Sequence, residues 1–104
     1  MLEDAAGGME RLEAQASEAA RLLKLLANER RLLVLCFLAG DGEISVGPLA
    51  ERVGLSQSAL SQHLARLRAD GLVATRKTAQ TVFYRIADPR VGELLRVLKD
   101  IYCS

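Results

Sequence analysis

The sequence predicts a mainly α-helical domain that carries a β-hairpin, and three observations predict it. Two helical patterns meet at "VGLS", where Gly54 ends one helix and Ser56 caps the next. Residues 72–87 then change to the two-residue period of β-strands. Apolar residues recur at heptad spacing near both ends of the chain, which is typical of helices that pair with other helices. Together these patterns predict a dimeric winged helix-turn-helix.

Length and composition favour one globular domain that acts outside a membrane. The chain has 104 residues, of which 50% are hydrophobic and 26% are charged. Its longest uninterrupted apolar run, residues 32–39, is far shorter than the roughly 20 residues of a membrane-spanning helix. The N-terminus is acidic, whereas a secretion signal begins with basic residues. We therefore expect a cytoplasmic protein with no membrane partner.

The first helix is expected over residues 9–26, because apolar residues recur there at alternating spacings of three and four. This seam consists of Met9, Leu12, Ala16, Ala19, Leu23 and Leu26. Residues 1–8 precede the seam and are expected to be disordered. A narrow seam of this kind predicts a dimerisation helix within a domain that spans residues 9–104.

The next two helical segments predict a buried helix and a helix-turn-helix. Asn28 is a candidate cap for a helix over residues 29–39 that is apolar on nearly every side and hence buried. Ser45 is a candidate cap for a short helix that ends near Gly54. Ser56 caps a further helix that ends near Gly71. The helix-turn-helix is thus predicted at about residues 46–70.

The hairpin and the last helix complete the fold. Val82, Tyr84 and Ile86 alternate with more exposed positions, so residues 72–87 are predicted to form a β-hairpin wing. Asp88 followed by Pro89 is a helix-start signal. A helix over about residues 89–102 follows, with a second seam formed by Val91, Leu94, Leu98 and Ile101. We expect this helix to dimerise together with the first one.

The helix after Ser56 has the surface chemistry of a DNA-reading helix. At 100° per residue its leucines form one buried face, and the opposite face carries Ser58, Ser61, Gln62, Ala65 and Arg66. Short polar side chains suit the edges of bases in a major groove about 12 Å wide. Backbone N–H groups beyond the Ser56 cap can bind phosphate. Residues 56–77 hold four basic residues and one acid, although the whole chain carries a net charge of only +1.

Two other interpretations of this polar face stay open. It is also compatible with an ordinary solvated helix, or with a winged helix that binds another protein and not DNA. Salt-dependent affinity for DNA distinguishes a DNA-binding surface from both.

The segment "SQSALSQHLARLRADGLVATRKTAQTVFYRI" resembles the signature of the ArsR/SmtB family of winged-helix repressors, and the similarity runs from about residue 22 to residue 102. The resemblance implies a homodimer, formed by the first and last helices, that binds a double-stranded operator with an imperfect palindromic sequence. It implies DNA-facing or DNA-flanking roles for Gln57, Ser58, Ser61, Gln62 and His63. Arg76 and Lys77 then belong to the wing. The full candidate DNA-binding set is Ser56, Gln57, Ser58, Ser61, Gln62, His63, Arg66, Arg76 and Lys77.

One departure from the family concerns the wing, and one ambiguity concerns the histidine. The wing-tip glycine usual in the family is absent from "KTAQT". His63 lies at the edge of the polar face, so packing against the neighbouring helix and contact with a phosphate are both compatible with its position.

Cofactor and metal sites are not expected. The chain has two cysteines 67 positions apart and a single histidine, and it lacks the ligand patterns with which many relatives bind metals. Cys36 lies within "LLVLCFLA" and is compatible with a small buried apolar residue. Cys103 is expected to be exposed, with Lys99 one turn earlier favouring the thiolate and the helix C-terminus opposing it.

The positions of Cys36 and Cys103 resemble those in the BigR/SqrR-like subgroup of the same family. That resemblance implies a redox sensor in which reactive sulfur species such as persulfides link the two thiols by a di- to tetrasulfide bridge and release DNA. The alternatives are a repressor with another inducer (peroxide, metal or none), two unrelated thiols, or a thiol- or persulfide-carrying protein. An enzyme is not expected, because no CxxC motif and no neighbouring histidine or acid–base pair accompanies either cysteine.

Overall fold

The computed structural model describes residues 5–103 of the chain, and the side chains of residues 7–102. Within this part, the elements are α1 (Ala5–Leu26), α2 (Glu29–Asp41), β1 (Ile44–Ser45), α3 (Val46–Val53), α4 (Gln57–Ala69), β2 (Val73–Thr78), β3 (Thr81–Ile86) and α5 (Pro89–Cys103). The predicted class, a mainly α-helical winged helix-turn-helix, is confirmed. The disorder expected for residues 1–8 partly concerns residues outside this description. Residues 5–8 belong to helix α1, which begins at Ala5.

Local hydrogen bonds explain where the helices begin. The Asn28 side chain accepts a hydrogen bond from the backbone N–H of Arg31 at 3.1 Å, and α2 starts there. The Asp88 carboxylate accepts one from the backbone N–H of Arg90 at 2.9 Å at the start of α5. Ser45 precedes α3 but makes no side-chain capping hydrogen bond, contrary to the expectation from sequence.

The turn between α3 and α4 depends on the backbone freedom of a glycine. Gly54 has φ 71°, in the left-handed region that residues with a Cβ atom rarely adopt, and its N–H donates to the carbonyls of Ala50 and Glu51. The next N–H, of Leu55, donates to the Ala50 carbonyl at 3.0 Å. These bonds satisfy the end of α3 within two residues, so only Gly54, Leu55 and Ser56 separate it from α4.

The wing is a hairpin with a two-residue turn. Pairs run from Val73 opposite Ile86 to Thr78 opposite Thr81, so that only Ala79 and Gln80 lie in the turn. Ala79 has φ 39°, a left-handed conformation that glycine adopts without strain. It occupies the wing tip, where the resemblance described above leads one to expect a glycine.

A short third strand joins the wing to the rest of the domain. Strand β1 pairs with β3 through Ile44 opposite Tyr84 and Ser45 opposite Phe83, which gives the sheet order β1-β3-β2. This strand could not be predicted from sequence, because two residues are too few to display a period. The consequence is that the wing is hydrogen-bonded to the segment that leads into α3.

The core lies between α2, α3, α4 and the base of the wing, and residues of α1 and α5 complete it. Its most deeply buried side chains are Val34, Leu35, Leu38, Leu49, Leu60, Leu64, Leu67, Leu72 and Val91, all below 2% exposure. Burial of each such side chain contributes about 1.5–3 kcal/mol of transfer free energy. Because the leucines of α4 point into this core, the opposite face of that helix is turned outward.

The apolar residues of α1 and α5 fall into two groups, one buried in the core and one exposed. Leu22 and Leu26 of α1 are buried in the core, whereas Met9, Leu12 and Leu23 remain 45–56% exposed. In α5, Val91 and Leu95 are buried, whereas Val97 and Ile101 are more than half exposed. No helix in the described part of the chain is long and apolar enough to cross a membrane.

Candidate functional site

Helix α4 presents the polar surface that the sequence analysis singled out. Leu60, Leu64 and Leu67 are completely buried, which fixes the rotation of the helix about its axis. The candidate DNA-contacting side chains on its outer side are exposed, and they are Ser56, Gln57, Ser58, Ser61, Gln62 and Arg66. His63 is half-buried at the edge of this surface, which leaves both packing and phosphate contact compatible with its position.

The start of α4 is also held firmly. The Ser56 Oγ atom accepts a hydrogen bond from the backbone N–H of Ala59 at 3.1 Å, which confirms the predicted cap. Beneath the turn, the Arg30 guanidinium of α2 donates a hydrogen bond to the Val53 carbonyl at 2.9 Å. The sequence analysis missed Arg30, because its partner lies 23 residues away and carries no sequence signal. The helix-turn-helix is therefore connected directly to α2.

A second connection joins the other end of α2 to α3. Asp41, the last residue of α2, forms an ion pair with Arg52 of α3. The Arg52 guanidinium also lies 5.7 Å from the centroid of the Phe37 ring, within the range of a cation–π interaction. With the Arg30 bond, these contacts link both ends of α2 to the helix-turn-helix.

The two basic residues predicted in the wing have different surroundings. Arg76 forms an ion pair with Glu43 at 2.9 Å, and its Nε–H lies 3.1 Å from each oxygen of that carboxylate. Its guanidinium also lies 4.9 Å from the centroid of the Phe83 ring on the paired strand. Lys77 is exposed and has no ion pair with any described residue. Of the two, Lys77 is the cation available to a phosphate.

Electrostatics reinforce the contact between Glu43 and Arg76. Hydrogen bonding from Arg76 lowers the pKa of Glu43 below its ordinary value of 4.5, and Glu43 raises the pKa of Arg76. Glu43 was missed from sequence because it lies 33 residues from its partner, in the loop before β1. The ion pair, together with β1, holds the wing against the loop that precedes α3.

Cys36 is exposed, so the interpretation of this residue as a small buried apolar side chain is wrong. The buried residues of α2 are Val34, Leu35 and Leu38, and at 100° per residue Cys36 lies about 150° from the centre of that face. The apolar composition of α2 predicted that all sides of this helix are buried. In the structure, the rest of the chain covers only the side that carries Val34, Leu35 and Leu38.

Cys36 lies in an open groove between α2 and α5, with a volume of about 960 Å³. We call it the α2–α5 groove, and its lining includes Leu32, Cys36, Ile86, Leu95, Arg96 and Lys99. The Cys103 side chain lies outside the described residues, although α5 extends to that position. On an ideal helix the positions of Arg96, Lys99 and Cys103 fall within about 60° of one another. Arg96 and Lys99 are among the α5 residues that line the groove opposite Cys36.

The described residues contain no group of three or more histidine, cysteine, aspartate or glutamate side chains arranged to hold a metal ion.

The comparisons with known proteins agree on one family. Residues 28–75 match the model of the family "Bacterial regulatory protein, arsR family". The transcriptional activator HlyU of Vibrio cholerae is 52% identical over 103 residues, which cover 99% of this chain and 94% of that protein. A solved structure of V. cholerae HlyU, described as reduced, matches with a TM-score of 0.82 at 53% identity, covering 91% of this chain and 99% of that one.

Two further solved structures extend this similarity. The transcriptional repressor BigR from Xylella fastidiosa matches with a TM-score of 0.85 at 40% identity, covering 92% of this chain and 97% of that one. A homodimeric winged helix-turn-helix DNA-binding domain from Mycobacterium bovis, a possible ArsR-family regulator, matches with a TM-score of 0.72 at 35% identity. That match covers 88% of this chain and 83% of the other.

Proposed function

The chain belongs to the ArsR family of bacterial transcriptional regulators, and we propose that it is a homodimeric repressor whose release from its operator is controlled by Cys36 and Cys103. The observation that carries the proposal is the exposure of Cys36 in the α2–α5 groove, whose other wall is formed by α5, the helix that contains position 103. The inducer we propose is a reactive sulfur species that links the two thiols.

The DNA-binding part of the proposal assigns the outer face of α4 to the major groove. Ser58, Ser61 and Gln62 contact base edges, and Ser56, Gln57 and Arg66 contact or flank the phosphate backbone. The support is their exposure on a helix whose opposite face is locked into the core. Lys77 supplies a phosphate contact from the wing. Arg76 acts mainly within the wing, because Glu43 and Phe83 already hold its guanidinium.

We propose that the dimer forms through α1 and α5. Both helices expose large apolar side chains, with Met9, Leu12 and Leu23 on α1 and Val97 and Ile101 on α5. Contiguous exposed apolar surface is unfavourable for a monomer and is typical of an interface. The related domain from Mycobacterium bovis is a homodimer. A two-fold dimer that presents two α4 helices about 34 Å apart requires an imperfect palindrome in double-stranded DNA.

The proposed chemistry balances with a persulfide as the only oxidant. The Cys36 thiolate attacks the terminal sulfur of a persulfide RSSH, which gives Cys36–SSH and releases RS⁻. The Cys103 thiolate then attacks the inner, Cys36-derived sulfur and releases HS⁻, which leaves a disulfide and reduces the donor by two electrons. If both thiols first become persulfides, their condensation releases H₂S and leaves a trisulfide. The solved structure of the V. cholerae relative is described as reduced, and the proposal extends a redox distinction to this chain.

The connections of α2 explain how a bridge reaches the DNA-binding surface. A covalent link draws α2 and α5 together across the groove. The Arg30–Val53 hydrogen bond and the Asp41–Arg52 ion pair then pass any shift of α2 to α3 and the turn before α4. A coupling free energy of about 1–3 kcal/mol for each subunit is enough to change operator occupancy substantially.

The experiment that tests the proposal measures operator affinity before and after treatment with a persulfide donor. We expect that wild type loses affinity at least tenfold, while Cys36→Ser and Cys103→Ser keep the affinity of the untreated protein and lose the response. Mass spectrometry of the treated wild type should show the two thiols joined, with zero to two added sulfur atoms. Ser17→Cys adds a thiol on the exposed surface of α1 and serves as a control in the double-serine background, where it should not restore the response.

Other results select among the alternatives. Release by peroxide or a metal ion with no response to persulfide would assign another inducer to the same DNA-binding protein. Turnover of persulfide with no effect on DNA binding would support a thiol- or persulfide-carrying protein. Absence of salt-dependent affinity for any promoter fragment would support a protein-binding adaptor and contradict the repressor itself.

A further inference from the structure

The α2–α5 groove has a second property that its cysteine does not explain. Its floor is apolar, with Leu32, Ile86, Leu95 and Leu98 among the lining residues. Its volume of about 960 Å³ lies within the range of small-molecule sites, roughly 300–1,000 Å³. Reaction with a sulfur donor requires only access to one thiol, so a long apolar floor points to a ligand with an apolar body.

The charges around the groove define the other part of that ligand. The ionic side chains of the lining are Arg85, Arg96, Lys99 and Glu93, which give a net charge of +2. Among the described residues, none of the three cations has an ion pair or side-chain hydrogen bond. This contrasts with Arg21, Arg52, Arg76 and Arg90, each of which pairs with a carboxylate. Unpaired cations beside an apolar floor are complementary to an amphipathic anion.

The groove also faces away from Val97 and Ile101, the two exposed α5 residues that we assign to the dimer. On α5, the positions of Arg96 and Lys99 lie on the far side of the helix from Val97 and Ile101, because the mean directions of the two pairs differ by about 150°. Val97 and Ile101 do not line the groove. A partner subunit that covers those exposed apolar residues therefore leaves this side of α5 accessible.

From this combination we propose that the α2–α5 groove reversibly binds a free organic carboxylate with an unbranched apolar chain of medium length. The carboxylate lies between Arg96 and Lys99, and the chain covers the leucines of the floor and passes over Cys36. The bound anion thereby shields the Cys36 thiol from reagents in solution. This binding involves no covalent step and does not depend on the proposed response to sulfur.

The test uses the full chain as Cys103→Ser, in which Cys36 is the single thiol. The rate at which a neutral maleimide alkylates Cys36 is followed by mass spectrometry while decanoate is added below its micelle concentration. We expect a saturable loss of rate. Octanoate and hexanoate should require progressively higher concentrations, by roughly fourfold for each methylene removed from apolar contact. Decylamine, with the same chain and the opposite charge, should not protect.

Two variants separate the charge contribution from a general effect. Arg96→Gln combined with Lys99→Gln removes the two exposed cations and should weaken protection by decanoate roughly threefold to tenfold. Lys24→Gln combined with Arg68→Gln removes two exposed cations that do not line the groove and should leave protection unchanged. Circular dichroism establishes that each variant is folded.

Three results would overturn the proposal. They are the absence of saturable protection, equal protection by decylamine, and unchanged protection in the double variant. Alkylation that slows with protein concentration in the absence of decanoate would also count against it, since a second copy of the chain would then cover the groove.

Discussion

At the scale of single residues, neighbours in the sequence differ sharply in what they are free to contact. Arg76 and Lys77 are adjacent and basic, yet Arg76 is held by Glu43 and Phe83 while Lys77 extends into solvent. Cys36 lies next to fully buried Leu35 and is itself exposed. Such differences follow from side-chain direction, which alternates along a strand and rotates by 100° per residue along a helix.

Gln62 is expected to determine sequence preference. It lies near the centre of the exposed face of α4, and a Gln amide can form two hydrogen bonds to the edge of an adenine. Gln62→Ala should reduce discrimination between operator and mutated operator by about 1–3 kcal/mol while the fold is unchanged. Competition anisotropy with single-base operator variants measures this effect.

Gln15→Ala provides the matched control for that substitution. Gln15 is an exposed glutamine on α1, away from α4, and its replacement should leave discrimination unchanged. Equal losses in both variants would contradict a base-reading role for Gln62.

At the scale of elements, ion pairs position the helices and strands that carry the site. Arg90 at the start of α5 pairs with Asp88 at 2.7 Å and lies 3.8 Å from Glu18 of α1. Arg76 and Glu43 link the wing to the loop before α3. Most of these pairs are exposed, so each contributes modestly to stability and chiefly fixes direction.

The cap of α5 should make stability depend on pH. Hydrogen bonds from Arg90 lower the pKa of Asp88 below its ordinary value of 3.8. A carboxyl group whose pKa is lower in the folded state stabilises that state above the unfolded pKa and loses this contribution as pH falls. Asp88→Asn should thus cost about 1 kcal/mol at neutral pH and reduce the loss of stability between about pH 4 and pH 2. Urea denaturation across this range measures both.

Asn retains the capping ability of Asp, so Asp88→Asn removes the charge of residue 88 while keeping the helix cap. Asp100→Asn is the control, because Asp100 is an exposed carboxylate of the same helix with no hydrogen bond or ion pair among the described residues. If both variants show the same pH dependence as wild type, the ion pair does not stabilise α5.

At the scale of the whole molecule, the apolar surface of one chain is incompletely covered. The buried core joins all five helices and the base of the wing, while other large apolar side chains of α1 and α5 remain in solvent. The proposed dimer covers them, and it also sets the distance between the two reading helices. Association and DNA affinity are then linked properties.

Leu12→Glu is expected to weaken both the association of the subunits and the affinity for DNA. Leu12 is 53% exposed on the seam of α1, and a carboxylate there would be desolvated in the interface. We expect a shift toward monomer in sedimentation velocity and a loss of affinity for the palindromic operator of roughly tenfold or more, since the second half-site no longer benefits from the link between subunits.

Ala14→Glu introduces the same charge on the opposite face of α1, where Ala14 is exposed. It should leave both sedimentation and DNA affinity unchanged. A monomeric wild type, or a Leu12→Glu protein that remains dimeric with full affinity, would contradict the assignment of α1 to the interface.

Local patterns in the sequence determined the order of the helices, the helix-turn-helix and the wing. Caps, glycine stops and apolar periods act over a few residues, so Ser56, Gly54 and the leucines of α4 were sufficient to predict which side chains of that helix face outward. The resemblance of the motif to the ArsR family could be recognised for the same reason, because it also depends on residues close together in the sequence.

Only the tertiary structure decided which surfaces each element leaves uncovered. It showed that Cys36 is exposed, that Arg76 is held by Glu43, that Arg30 reaches the end of α3, and that a two-residue strand supports the wing. The physical reason is that the contacts of Arg30, Arg76 and the short strand join residues 23 to 40 positions apart in the sequence. Local periods and propensities do not identify which distant side chain or strand lies opposite a residue.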